Sequence, residues 1–162
     1  MPENSAIERA KQDEKSGKSP STQAGEFVRD EIHHVREGVH GARSVQQAIA
    51  IGLSKARRAG VDLPPPQNGS RAIRRQATRD LAKARSKRRV SKNRSRATLG
   101  ALRRESHNTA SRGQLAAQAR SSSRRRGPTA RHRASMKAVR TKDPLGLRRA
   151  ASKAAKTRRK AE

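Results

Sequence analysis

Residues 67–162 carry 31 Lys and Arg against 4 Asp and Glu, a net charge of +27 on 96 residues. Like charges a turn apart oppose a helix, and self-repulsion opposes a compact state. Residues 1–66 are close to neutral, with 10 Lys and Arg against 9 Asp and Glu. The step falls at Pro64-Pro65-Pro66, which cannot continue a helix, and turn-forming Gln67-Asn68-Gly69 follows it. Over the whole 162 residues hydrophobic side chains make up 30% and aromatics 1%, with Phe27 the single ring of its kind. So few apolar groups at such a charge leave little to offset chain entropy. The composition therefore predicts a chain that is mostly α where ordered. A small two-helix N-terminal hairpin should be followed by a long, disordered or nascent-helical basic tail.

The hairpin is readable residue by residue. Ser19 before Pro20 has the pattern of an N-cap with Pro at the first helical position. Ala24, Val28, Ile32, Val35 and Val39 then recur at helical spacing with Phe27 beside them, while Glu26, Arg29, Asp30 and Glu37 form the solvated face. Gly38 and Gly41 break that helix. Ser44 with Gln47 three residues on reads as a capping box. Val45, Ala48, Ile49, Gly52, Leu53 and Ala56 give a second stripe over about 45–59, closed by Gly60 with Val61 behind it. The expected organisation is a flexible, partly helical segment at 1–18, the hairpin at 19–63, a Pro/Gly linker at 64–69 and the basic tail at 70–162. A hairpin this small has a reason to self-associate, so homo-oligomerisation through residues 24–56 is an expectation.

A polycation of this size needs a polyanion. Each Lys or Arg that neutralises a phosphate releases a condensed counterion, a favourable and sequence-independent effect. Arg exceeds Lys by 23 to 8 in residues 67–162, which favours bidentate phosphate contacts. The expected nucleic-acid anchors are Arg74, Arg75, Lys87, Arg88, Arg89, Arg103, Arg104, Arg124, Arg125, Arg126, Arg148, Arg149, Arg158, Arg159 and Lys160. Base-stacking platforms need aromatic rings, and the tail offers only His107 and His132, so duplex DNA is expected, with RNA as the alternative.

Other chemistries are poorly supported. The absence of Cys removes thiol catalysis and cysteine-bound zinc. The glycines match no phosphate-binding loop and nothing suggests a nucleophile with its base, so an enzyme is not expected. His33, Glu37 and His40 lie at near-helical spacing, but surface histidines beside a helix end account for them, and no metal or cofactor is expected. No apolar run approaches a membrane span, and the N-terminus mixes acids with bases, unlike a signal peptide. The expected location is the cytoplasm, at the nucleoid.

The stretch from Ser19 to Pro66, with its turn Gly38-Val39-His40-Gly41-Ala42-Arg43-Ser44 and the run QAIAIGLSKARRAG at 47–60, resembles an uncharacterised bacterial domain family. That family carries a GKHGARS-type turn and, commonly, a Lys/Arg/Ala-rich tail; here Val39 stands where relatives are usually basic. The resemblance implies a small histone-like DNA-binding protein and brings no site residues with it. By composition the tail is also similar to the tails of linker histones.

Overall fold

A Ser N-cap opens most of the helices of this chain, and that local chemistry runs through both halves. The structure, a computed structural model, describes residues 2–86, 91–141 and 144–159. Seven α-helices lie among them: α1 (Pro2–Lys15), α2 (Pro20–Arg36), α3 (Val45–Arg58), α4 (Arg71–Ala84), α5 (Lys92–Arg103), α6 (Arg112–Thr141) and α7 (Pro144–Arg159), with a 3₁₀ turn at Asn108–Ala110. The expected two-helix hairpin with a disordered basic tail is therefore wrong. Helices occupy most of the described basic half, and a further helix precedes the hairpin.

Two physical reasons account for the difference. Ala, Arg, Lys and Leu are strong helix formers. Their helices also start on caps: Ser70 Oγ accepts from Ile73 N at 3.3 Å, Ser91 Oγ from Arg94 N at 3.5 Å and Ser111 Oγ from Gln114 N at 3.4 Å. Each cap satisfies an orphan donor of the first turn.

The chain forms two compact units, Met1–Gln118 and Ala119–Glu162. In the first, α1 packs on α2, α2 on α3 and α3 on α4. One apolar cluster joins Ala6 and Ala10 of α1 to Ala24, Phe27, Ala56 and Val61. A second joins Val35, Ala42 and Ala48 to Ala110 of the 3₁₀ turn. The side chains are small, so the helices must approach closely. At Gly52 a Cβ would lie 2.6 Å from Val28 Cα and 3.0 Å from the Phe27 carbonyl oxygen, which only glycine permits.

α3 starts on the expected Ser44 cap, but the Gln47 side chain accepts from the residue before the cap and not from Ser44 N as a capping box requires. Ser44 Oγ accepts from Gln47 N at 3.2 Å, and Gln47 Oε1 reaches back to Arg43 N at 2.7 Å. It ends with Gly60 at φ +103° and with Val61 N bonded to the Ala56 carbonyl, and Val61 is buried. The expected stripe of α2 is rotated in the structure. Ala24, Phe27, Glu31 and Val35 are buried, Val28 and Ile32 are half-buried, and Val39 is 47% exposed. A carboxylate thus occupies the middle of the inward face.

The turn after α2 is covered by the basic half. Gly41 N donates to the Leu102 carbonyl at 2.9 Å and Ala42 N to the Ser106 carbonyl at 3.1 Å. A Cβ at Gly41 would meet the Glu105 carbonyl oxygen at 1.9 Å, so this approach too requires glycine. The second unit is built differently. Its part of α6 breaks at Gly127 (φ 74°, ψ 171°), Pro128 opens the next helical stretch, and none of its described residues is buried.

Candidate nucleic-acid interface

Only two acids lie between residues 67 and 118, Asp80 and Glu105, and both bind arginines of the N-terminal half. Asp80 is 2% exposed and accepts from Arg58 Nε at 2.8 Å, Ser54 Oγ at 2.8 Å and Gln76 Nε2 at 3.1 Å. Glu105 lies 3.5 Å from an Arg43 guanidinium nitrogen. Two of these donors, Ser54 and Arg58, come from α3, so the buried carboxylate ties α4 to α3, while Gln76 supports it from within α4. Arg57 is also structural. Its guanidinium donates to the Leu63 carbonyl at 3.0 Å and approaches that of Pro64 at 3.4 Å, tying down the start of the triproline. Burial pushes its pKa below the ordinary arginine value, and the nearby Asp80 charge opposes that shift.

With the acids of the stretch engaged in this way, the arginines of α4 face solvent. Arg71, Arg74, Arg75 and Arg79 are exposed on α4, whereas Ala77 and Asp80 are buried. Two of these, Arg74 and Arg75, belong to the anchor set expected from the sequence. Arg103 is the last residue of α5 and Arg104 its C-cap, both exposed. In the second unit Arg124, Arg125 and Arg126 precede the Gly127 break on α6, where Arg125 also donates to the Ser121 and Ser122 hydroxyls. Arg148, Arg149, Arg158 and Arg159 are exposed on α7. Lys87, Arg88, Arg89 and Lys160 lie outside the described residues.

The structure adds Arg71, Arg79, Lys92, Arg94 and Arg96 to the exposed cations, all on α4 or α5. A helical-wheel reading of residues 71–84, with Asp80 as the inward position, would have found the first two. Net charge divides evenly, +14 on residues 1–118 and +14 on 119–162. Among the described residues no helix is long and apolar enough to cross a membrane.

The expected surface group of His33, Glu37 and His40 is not assembled. His33 and Glu37 are exposed, whereas His40 is buried beside Glu31 and His34. Those three place one ligand-type atom each within 4.8 Å of the others.

A family model described as a family of unknown function (DUF6496) matches residues 21–67. The match spans α2, the turn and α3, and it is to an uncharacterised domain. No curated protein and no solved structure matches the chain.

Proposed function

We propose that this protein binds duplex DNA without sequence specificity, as a histone-like protein of a bacterial nucleoid. The observation that carries the reading is the arrangement of charge on α4 and α5. The two acids of residues 67–118 are turned inward onto Arg58 and Arg43, while the arginines of α4 face outward. An α-helix is about 10–12 Å across and the major groove of B-DNA about 12 Å wide, so such helices fit along phosphate-lined grooves. Exposed arginines contact phosphate oxygens in pairs and release counterions. Base reading would need side chains fixed toward base edges, and mobile exposed arginines on a helix supply position rather than sequence information. The role assigned is binding, not catalysis.

Each unit carries +14, so two segments of one duplex, or two duplexes, can be engaged by one chain at high effective concentration. Competition among duplex DNA, duplex RNA and anionic vesicles for the full chain, repeated from about 50 to about 200 mM salt, tests the proposal. Affinity for duplex DNA should fall roughly 10³–10⁵-fold over that range for about six to ten phosphate contacts. Preference for duplex RNA or vesicles, or an affinity insensitive to salt, would overturn it.

A further inference from the structure

Glu31 is fully buried in the middle of α2, and neither of its carboxylate oxygens has a partner in hydrogen-bond geometry. Lys55 Nζ stands 3.0 Å from Oε2 as an ion pair, and His40 Nε2 stands 3.4 Å from Oε1. The Nε2 of His34, one turn along the same face, is buried and also without a hydrogen-bond partner; Asp30 Oδ2 is 3.7 Å away. Buried polar groups in this condition are rare and costly, and three on adjacent side chains call for a common cause.

The tautomer of His40 sharpens the point. Its Nδ1 lies 3.0 Å from the Gly41 carbonyl oxygen, which can only accept, so Nδ1 carries the proton. A neutral His40 ring then turns its Nε2 lone pair toward Glu31 Oε1, two acceptors face to face. A single proton between them would serve that pair and leave His34 Nε2 unpartnered. A cation bound by all three residues would take Glu31 Oε1 and a ring nitrogen from each histidine, leaving Oε2 to Lys55. The Nδ1–carbonyl bond is also the kind of outer contact that fixes a metal-ligating imidazole.

We propose that Glu31, His34 and His40 form a zinc(II) site. A tetrahedral ion with bonds of about 2.0–2.1 Å holds its ligand atoms roughly 3.4 Å apart, which the Glu31–His40 pair already matches. From the 4.8 Å limit of the cluster His34 needs to close by at most about 1.4 Å. Two imidazoles and one carboxylate suit Zn²⁺ over Mg²⁺ or Ca²⁺, which take all-oxygen sites. Glu31 and His40 also line a cleft of about 620 Å³ shared with Ser54, Lys55, Arg94 and Thr98, which leads from solvent toward the buried group. That cleft is the entry path. Lys55 keeps Oε2, so the ion takes Oε1. The bound ion would pin the turn at residues 38–42 to α2.

The test uses the full-length, tag-free chain with zinc chloride alone. Equilibrium dialysis should show one tightly held zinc per chain, and the melting temperature should rise with zinc but not with magnesium. His34→Gln and His40→Gln should each weaken binding at least about tenfold, while His33→Gln, at an exposed position, should leave it unchanged. If either buried variant fails to fold, cobalt(II) added to the unaltered chain decides: the visible bands of four-coordinate cobalt support the site. Absence of those bands, absence of saturable one-to-one binding, or equal loss in His33→Gln would overturn it. A melting temperature that zinc leaves unchanged would overturn it too, and would make Glu31 only the ion-pair partner of Lys55.

Discussion

Arg36 Nε donates to the backbone carbonyl of Ala110 at 2.8 Å, joining residues 74 positions apart. The bond sits at the end of α2 and holds the 3₁₀ turn over Val35, Ala42 and Ala48. A charged donor on a neutral carbonyl is worth about 1.5–3 kcal/mol, discounted here because the Arg36 side chain is largely exposed. Arg36→Gln should therefore cost about 1 kcal/mol. Hydrogen exchange locates the effect. The Gly41 and Ala42 amides, which bond to Leu102 and Ser106, should exchange faster, and those inside α3 should not.

Gly52→Ala and Gly25→Ala form a matched pair, both in helices. Alanine gains about 0.5–1 kcal/mol of backbone entropy and helix propensity over glycine. At Gly25 a Cβ meets nothing within 4 Å, so that variant should be stabilised by about this amount. At Gly52 the Cβ lands 2.6 Å from Val28 Cα, and backbone cannot swing aside as a flexible side chain can. Overpacking of about 1–3 kcal/mol outweighs the propensity gain. Urea denaturation should show opposite signs for the two substitutions.

Asp80→Asn should destabilise the first unit by about 1.5–3 kcal/mol, because a buried carboxylate with three donors becomes an amide that must turn an N–H toward some of them. Arg58→Gln should cost less than half of that. Its side chain is 50% exposed, and Asp80 retains Ser54 and Gln76. Thermal melts of the two variants should differ in that order, and equal losses would mean that the ion pair alone holds α4.

Replacing Arg124, Arg125 and Arg126 together with Gln should leave the melting of the first unit unchanged, since all three are exposed in the second. If each contacts one phosphate, the slope of log affinity against log salt should become shallower by roughly 2–3. The effect should be equal on duplexes of unrelated sequence. A change confined to one sequence would assign these arginines to base reading.

Much of the local structure was legible. The caps at Ser44 and Gly60 fix α3 to within a residue, because cap chemistry is local. Ser70 and Ser111 are the caps of α4 and α6. What concealed the helices behind them was net charge, a global quantity that says little about a stretch whose Ala-rich turns are capped at the start. The rotation of α2 was hidden for another reason. Periodicity seeks apolar residues, and the inward face of α2 includes Glu31 and His34, whose burial follows from partners on the turn and on α3. The hydrogen bonds that join Leu102 and Ser106 to the turn have no sequence signature. They run through backbone carbonyls, which every residue carries.

That last feature sets a schedule for synthesis. A ribosome adding about 5–20 residues per second needs roughly 4–15 s to pass from Arg36 to Ala110. From Arg58 onward in that interval the nascent chain has completed α2 and α3, yet the lid over Val35, Ala42 and Ala48 does not exist. The apolar seam stays open to water, and to whatever holdase attends the tunnel exit, until the segment that closes it has been translated.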